Sequence, residues 1–477
     1  MTLTICIVVG IVGLGALGMT GRRSTSMAEW TVNGRGFQRW TSWFLQAGDS
    51  LTTFSFLGLA GIAFGGGVIG VFALAYLSIS SIGLYFCGPR MRQLGQDRGY
   101  LTQADFFADR FSSPALGRVS AVVGAVFLLP YLQLQITGLG LVVELATGSE
   151  SGRGLSMVVA SALVVIFVAW SGIRGIARVA VVKDVLMLAA LLIVLGGVVF
   201  GIAGIPDTFA HIKSVGPQLL DFSQTGWDTT FFLTAVIVTS IGAGLNTFPH
   251  LWPPVLAAKT GAVLRSNYKW LALYQLMLFV PIFVGLAATK VLPADKAPKH
   301  VLLSVAKQTL PSWLVAVVAI AGASAAMVPA AAIAMGISSL VSKNLIRVRR
   351  ESLQLTVNLA AVVGAIALSL VLGLANFDIA SLLLLTYGGL TQMAPATLIG
   401  LGKRVNVGAV PVMLGMVVGV VTVAWITFFE IPIGSWDSGL IALAPNLAVL
   451  AVAELVRRRM PSKATVEERP APATVEV

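Results

Sequence analysis

Long apolar stretches are the feature that most constrains how this chain can fold. About thirteen stretches of roughly 20 mostly apolar residues follow one another, and an α-helix needs about 20 such residues to cross the hydrocarbon core of a bilayer. The stretches start near residues 2, 40, 67, 117, 153, 178, 228, 268, 311, 353, 378, 407 and 437. Because 57% of the residues are hydrophobic and only 11% are charged, we predict an all-α integral membrane protein with about 13 transmembrane helices.

Basic residues between the stretches predict the orientation of the chain. Arginine and lysine are concentrated in alternate loops, and such loops face the cytoplasm. Arg22 and Arg23 directly follow the first stretch, and no basic residue precedes it, which is the reverse of the charge order in a cleavable signal peptide. We therefore predict a multi-pass protein of the cell membrane with its N-terminus outside, its C-terminus in the cytoplasm and a disordered tail over residues 460–477.

Several function classes find little support in the composition. The net charge of +12 comes largely from loop residues that set orientation, so we predict no nucleic-acid partner. Cys6 and Cys87 both lie in apolar stretches, and His211, His250 and His300 are far apart. We therefore predict neither a metal-dependent enzyme nor a cofactor. The expected partners are the lipid bilayer and a small organic solute.

The order of the stretches predicts an inverted repeat. After an extra N-terminal helix in residues 1–21, five spans lie in residues 38–205 and five more lie in residues 226–404. Two additional helices follow in residues 405–459. An odd number of spans in each set inverts the second set relative to the first, and inverted repeats are typical of secondary transporters.

In such folds the first helix of each set is broken near the middle of the membrane. We place the first break at Gly48, Asp49 and Ser50, within "WFLQAGDSLTTFSF", and the second in "SIGAGLNTFPH", residues 240–250. A carboxylate inside a membrane span is costly and marks a functional site by default. We therefore predict that Asp49 takes part in binding or coupling, with a structural pairing to a Thr or Tyr across the bundle as the alternative.

Motifs spread over nearly the whole chain after residue 30 resemble those of the sodium:solute symporter family. They are "WFLQAGDSLTTFSFLGLAGIAFGGG", "LTQADFFADRFSS", "LLPYLQLQITGLGLVVE", "SGIRGIARVAVVKD", "FPHLWPPVLAAKTGAVLRSN", "AAMVPAAAIAMGISSLVSKNL" and "QMAPATLIGLGKR". Within that family the chain is most similar to the branch that carries short monocarboxylates such as pyruvate, lactate and acetate. The resemblance implies a LeuT-like 5+5 inverted-repeat bundle that works by alternating access.

The resemblance also implies a sodium site between the first and eighth core helices. Three backbone carbonyls fall on its ligand positions, those of Gly48, Leu51 and Ala325. Its two hydroxyl positions fall on Val328 and Pro329, which have no side-chain oxygen, although hard cations want oxygen ligands. Pro329 also lacks the N–H that would bond to the Ala325 carbonyl, so that oxygen is freed. Sodium is therefore the predicted coupling ion, with a proton as the alternative.

Polar residues are predicted to surround the solute by their positions in such a fold. They are Asp49, Thr53, Gln133, Thr137, Asn246, Tyr387 and Gln392. Gln133 and Thr137 are four residues apart and share one face of a helix. No arginine lies in the middle of a span, so we expect helix N-termini and uncharged polar groups to hold a carboxylate.

Two further charged residues, Lys183 and Asp184, are adjacent within "VAVVKDVLM". They lie near the predicted cytoplasmic end of the span that starts near residue 178. We therefore predict an interfacial ion pair without a part in transport.

The predicted function is a cation-coupled secondary symporter that imports a small organic solute, most specifically a short monocarboxylate. One alternative is a proton-coupled or uncoupled transporter of another solute, such as proline or pantothenate. A membrane channel or a sensor is an alternative of another class. A channel shows repeated pore loops or charge rings and a sensor carries a signalling domain, and neither pattern is present in this sequence.

Overall fold

The computed structural model describes most of the chain. The described residues are 2–20, 24–147, 153–224, 227–295, 301–346, 348, 350–374 and 379–460. The tail predicted to be disordered, residues 460–477, lies outside them apart from Met460.

The described part of the chain is built from α-helices. They are α1 (Thr2–Met19), α2 (Met27–Val32), α3 (Arg39–Ala47), α4 (Leu59–Gly66), α5 (Val71–Arg98), α6 (Gln103–Arg110), α7 (Pro114–Thr147), α8 (Arg153–Gly201), α9 (Ile205–Val215), α10 (Thr229–Gly244), α11 (Trp252–Ala257), α12 (Gly261–Tyr274), α13 (Phe279–Ala288), α14 (Val301–Thr309), α15 (Ser312–Ser339), α16 (Glu351–Gly373), α17 (Ile379–Thr391), α18 (Ala394–Leu401), α19 (Ala409–Phe428) and α20 (Ser438–Arg459). Short 3-10 turns span Asn33–Arg35, Gly67–Gly70, Pro217–Leu220, Pro249–Leu251 and Gln275–Leu278, and π-helical turns span Phe54–Gly58 and Leu340–Leu345. Two short strands, β1 (Ser223–Gln224) and β2 (Trp227–Asp228), pair antiparallel.

Enough apolar helix is present to cross a membrane many times. Within the described residues, 8 helical segments are long and apolar enough to span it, and bent pairs raise that number to 10. Two shorter apolar helices, Thr4–Met19 and Gly154–Trp170, add to them. Large apolar side chains also point outward, such as Phe200 at 93% exposure. An all-α multi-pass membrane protein is therefore confirmed, whereas the number of 13 spans stays a prediction.

The first helix of each predicted repeat is broken. Helix α3 ends at Ala47, and helical structure resumes in the π-helical turn at Phe54–Gly58. Helix α10 ends at Gly244, and residues 249–257 continue at an angle of 44° to it. Both interruptions coincide with the glycine-containing segments predicted to break, so this part of the LeuT-like prediction is confirmed.

Small side chains keep α15 at the centre of the bundle. Within its most apolar window 83% of the residues are buried, against 28% for α16 and for α20. Alanine, glycine and serine dominate α15, and small residues let helix backbones approach closely in a membrane protein. Helix α15 therefore packs against α1, α7 and α8 at once, and its middle turns lie beside the first break.

Gly172 divides α8 into two helices. Its φ of 51° and ψ of −170° interrupt the helical geometry, and glycine adopts positive φ without steric cost. The second part forms a span from Gly172 to Gly201, so the predicted start near residue 178 was too late. At 1.5 Å per residue, Lys183 lies roughly 16 Å inside this span.

Candidate functional site

After the first break, side-chain oxygens instead of helical carbonyls accept the hydrogen bonds of the first backbone N–H groups. The Thr53 N–H donates to Gln135 Oε1 of α7 at 3.4 Å. The Phe54 N–H donates to Thr52 Oγ1 at 3.2 Å, in the manner of an N-cap. The second half of the broken helix therefore begins with a capped N-terminus inside the bundle, and such an end carries partial positive charge.

Asn246 forms the second break. Its φ of 53° lies in the left-handed region, where asparagine is enriched. Its backbone oxygen accepts hydrogen bonds from Trp252 Nε1 at 2.7 Å and from Gln103 Nε2 at 3.3 Å, and these bonds fix the turn. The Asn246 Oδ1 atom is buried and has no hydrogen-bond partner in the structure, so this oxygen can accept a hydrogen bond from a bound molecule.

One polar pair joins the two breaks. His250 Nε2 lies 3.2 Å from Asp49 Oδ2, and the side chains are 0% and 11% exposed respectively. The remaining polar atom of each group, His250 Nδ1 and Asp49 Oδ1, is buried without a hydrogen-bond partner. Leaving such atoms unpaired costs about 1–3 kcal/mol each. Buried polar groups without a partner therefore need an explanation, and binding of a ligand provides one.

A cavity of about 70 Å³ lies beside this pair. The polar residues that line it include Asp49, Tyr76, Tyr131, Asn246, His250 and Tyr387. Aromatic rings pack around it, with the Tyr387 ring centroid 4.5 Å from that of Phe248 and the Tyr131 centroid 5.5 Å from that of His250. One water molecule needs about 10–15 Å³ of such space, so the cavity has room for a solute of a few heavy atoms.

The cavity offers hydrogen-bond donors rather than fixed positive charge. Tyrosine hydroxyls and the Asn246 amide can donate, and no lysine or arginine is among the described residues that line it. Its one lining acid, Asp49, is paired with His250. A small polar or anionic solute would therefore be held by neutral donors and by the ends of the broken helices.

The sequence matches the model of the sodium:solute symporter family over residues 30–419. The chain belongs to the sodium:solute symporter family. The matched range contains both breaks and every described residue that lines the cavity, so the site lies inside the matched region.

Individual relatives and structures agree with this membership. An uncharacterised symporter of Bacillus subtilis, YhjB, is 31% identical over 97% of this chain and 99% of its own length. A monocarboxylate transport permease protein of Rhizobium johnstonii is 26% identical over 66% of this chain and 64% of its own. The structure of a Na⁺-coupled sialic acid symporter, in a substrate-bound outward-open state, superposes with a TM-score of 0.77 at 15% identity and covers 96% of this chain and 97% of its own. This likeness confirms the predicted transporter fold.

Within this sodium:solute symporter, Asp49, Asn246 and Tyr387 line the cavity, but Gln133 and Thr137 do not. Helix α7 presents Gln135 to the first break, and each residue advances an α-helix by about 100°. Residues two positions away on either side therefore point to the opposite face. Gln133 accordingly packs near α16: a Cβ atom built on Gly373 would lie 3.7 Å from Gln133 Cγ. Contact of Gln133 and Thr137 with the solute stays a prediction.

Gln392 and Thr53 are also placed away from the cavity lining. Gln392 Nε2 donates to Gly388 O at 3.0 Å and to Gly439 O at 2.9 Å, so this amide connects α17 to the outer helix α20. Thr53 packs against Gly138 of α7, where a glycine Cβ would lie 2.0 Å from the Thr53 methyl carbon. Both side chains pack between helices and neither is among the residues that line the cavity, so their contact with the solute stays a prediction.

Two of the residues predicted to hold sodium, Gly48 and Val328, lie close together. A Cβ atom on Gly48 would lie 3.1 Å from Ala180 Cβ of α8 and 3.4 Å from Val328 Cγ1 of α15. Leu51 and Ala325 are fully buried. The first break therefore packs against both α8 and α15, and the sodium site itself stays a prediction.

Lys183 lies at this position, and the prediction for it is wrong. Its Nζ donates to Gly48 O at 2.7 Å and to Asp184 Oδ1 at 3.0 Å. Lys183 is 0% exposed and Asp184 is 1% exposed, so the ion pair is present but is buried in the bundle instead of lying at an interface. The error arose because Gly172, and not residue 178, begins this span.

The residues around Gly48 do not fit a sodium ion. Val328 and Pro329 offer carbon atoms where the family places hydroxyl oxygens, and hard cations are held by oxygen. The nearby Ser324 hydroxyl donates to Ala321 O of its own helix at 2.7 Å. The Gly48 carbonyl oxygen already accepts a hydrogen bond from Lys183 Nζ.

Two participants, His250 and Tyr131, were not singled out as site residues. His250 ends the very segment in which the second break was predicted, and Tyr131 lies one turn before Gln135 in α7. Their signal in the sequence was a polar or aromatic group close to a predicted break. Only the packing of distant segments shows that His250 meets Asp49 and that Tyr131 packs against His250.

Gly336 is required for the position of His250. A Cβ atom at Gly336 would lie 2.7 Å from His250 Cβ and 2.8 Å from its Cα, too close for the backbone to stay in place. We expect Gly336→Ala to shift His250 from Asp49 and to lower solute uptake by about tenfold, within the ~1–3 kcal/mol cost of overpacking. Uptake by vesicles containing the purified protein measures this. Gly364→Ala in α16 is the control, because a Cβ there meets nothing within 4 Å; equal uptake by the two variants would contradict the prediction.

Proposed function

We propose that this sodium:solute symporter is a cation-coupled secondary transporter that imports a short monocarboxylate, such as pyruvate, lactate or acetate, by alternating access. The observation that carries the proposal is the small cavity between the two helix breaks, with the Asp49–His250 pair at its wall. Helix breaks at the middle of the membrane are where such transporters bind solute. We also propose the inverted repeat over residues 38–205 and 226–404, an external N-terminus and a cytoplasmic C-terminus.

The size and chemistry of the cavity support a short monocarboxylate. A volume of about 70 Å³ suits a molecule of a few heavy atoms and is far below the roughly 300–1,000 Å³ of drug-sized ligand sites. Hydroxyl donors from Tyr76, Tyr131 and Tyr387 suit a carboxylate that carries no bulky substituent. The Rhizobium johnstonii relative named as a monocarboxylate transport permease adds support at 26% identity.

The family supports a cation as the coupling species. Its name specifies sodium, and the structurally similar sialic acid symporter is described as Na⁺-coupled. A proton is the alternative.

Uptake into vesicles tests the proposed solute. Protein reconstituted in liposomes would be given radiolabelled lactate together with an excess of unlabelled acetate, pyruvate, proline or glucose. We expect pyruvate and acetate to compete and to reduce label uptake by at least about fivefold, because they present the same carboxylate to the same donors. Proline and glucose are expected to leave uptake within about twofold, since proline adds an ammonium group and glucose has no carboxylate for the donors to bind.

The same assay separates the proposal from its alternatives. Transport of labelled proline without transport of lactate would overturn the monocarboxylate proposal and leave a transporter of another solute. Flux that never saturates with solute concentration would indicate a channel instead. Empty liposomes, and liposomes containing protein unfolded by heat, provide the background.

A further inference from the structure

We propose that the Lys183 side chain takes the place of a coupling sodium ion at the first helix break, so that solute transport needs no sodium at this position. The proposal rests on the transport function proposed above, and it concerns the coupling cation rather than the solute. The sodium ligands that the family resemblance implies differ from the groups that these residues provide.

Lys183 already makes one of the contacts that a sodium ion would make. Its Nζ lies 2.7 Å from Gly48 O, the carbonyl expected to be a sodium ligand. The Gly48 backbone is itself in contact with α15, since a Cβ there would lie 3.4 Å from Val328 Cγ1. The amine nitrogen thus lies between α8 and the break, bound to one of the carbonyls that the family resemblance assigns to the ion.

Fewer oxygen ligands are available to a sodium ion at the same place. Val328 and Pro329 replace the two hydroxyl positions with carbon. Ser324, the nearest hydroxyl one turn earlier, is turned to Ala321 O at 2.7 Å. A lysine amine, in contrast, needs only acceptors for its own N–H groups, and Gly48 O and Asp184 Oδ1 supply them.

Charge balance also favours one cation here and not two. Lys183 is fully buried and its partner Asp184 is 1% exposed, so one carboxylate lies beside one amine. Tyr274 Oη donates to the same Asp184 oxygen at 3.5 Å, and the other nearby acid, Asp49, is paired with His250. A sodium ion added beside the ammonium would meet strong repulsion at low dielectric without a further carboxylate to offset it.

A cation tethered to α8 differs from a dissolved ion in one respect that can be measured. It connects α8 to the broken segment in the way that an ion connects two sets of ligands, but it never enters from solution. A sodium gradient therefore does no work through this position. Replacing sodium in the medium by a large organic cation should leave binding and exchange unchanged.

The wild-type protein provides the first test. Liposomes loaded with unlabelled lactate would exchange it for labelled lactate in sodium or in choline medium, and a sodium gradient would then be imposed at constant pH. We expect exchange rates within about twofold in the two media and no accumulation driven by sodium. The melting temperature of the purified protein should also be the same in sodium and choline, a measurement that needs no solute.

A charge-neutral variant tests the lysine itself. Lys183→Met combined with Asp184→Asn removes both charges, so no buried carboxylate is left unpaired. We expect the folded double variant to lose at least tenfold in exchange, because nothing then connects Gly48 O to α8. The matched control on the same helix is Arg174→Met with Glu29→Gln, a partly exposed pair with a 3.0 Å Arg174 Nη2–Glu29 Oε1 distance, which should stay within about twofold of the wild type.

The outcomes separate this proposal from the proposed solute. Sodium-driven accumulation, or a melting temperature raised by sodium, would overturn the role of Lys183 while leaving the transport function intact. Normal exchange by the Lys183 double variant would also overturn it. If the wild type exchanged no monocarboxylate, the solute proposal would fail, and the sodium dependence of the melting temperature would still decide the inference.

Discussion

Asp49→Ala is expected to lower the initial rate of lactate uptake by about 10- to 100-fold. Asp49 Oδ2 lies 3.2 Å from His250 Nε2 across the two helix breaks. A hydrogen bond to a charged group contributes about 1.5–3 kcal/mol, and each 1.4 kcal/mol corresponds to a factor of ten. The rate would be measured in liposomes at equal protein content. Asp207→Ala, which removes an exposed acid from α9, is the control and should behave like the wild type.

A double-mutant cycle shows whether the two residues act together. We expect His250→Ala to cause a loss similar to that of Asp49→Ala, and the double variant to be no worse than either single one. Residues in contact show such non-additive effects, whereas distant residues add. Independent losses that multiply in the double variant would mean that the two side chains serve separate purposes.

The breaks were predictable because their signal is local. Gly48 and Asp49 interrupt an apolar stretch, and a carboxylate inside a membrane is too costly to be accidental. The second break was found in the same way, in a segment that contains Asn246. A break in a helix needs residues that tolerate a non-helical backbone. Such residues can be recognised within a single segment of the sequence.

The lining of the cavity was harder to predict because it depends on helix rotation. Gln133, Gln135 and Thr137 all lie in α7, and their alternation puts polar groups on both faces. At about 100° per residue, only the packing of α7 against its neighbours decides which face meets the break. That packing brings Gln135 to Thr53, and the two predicted residues are turned away.

Long-range pairing explains the remaining misses. His250 and Asp49 are separated by most of the first repeat, and nothing near either residue indicates the other. The position of Lys183 depended on where its span begins, and a single glycine with positive φ, Gly172, set that boundary. A shift of a few residues along a helix axis moved this lysine from a predicted interface to the interior.

Lys183→Ala is expected to destabilise the folded protein by about 3–5 kcal/mol, because removing one partner of a buried ion pair leaves an uncompensated charge. The charge left behind is that of Asp184, whose Oδ2 is already buried without a hydrogen-bond partner. Adding Asp184→Asn should therefore recover much of the loss. Lys343→Ala is the control: this lysine also pairs with an acid, at 2.5 Å from Asp105 Oδ2, but is 26% exposed, so the acid left behind can be reached by water and the loss should be smaller. Denaturant unfolding followed by tryptophan fluorescence measures the free energy of unfolding of all three variants. Equal losses for Lys183→Ala and Lys343→Ala would show that the buried pair contributes no more to stability than the partly exposed one.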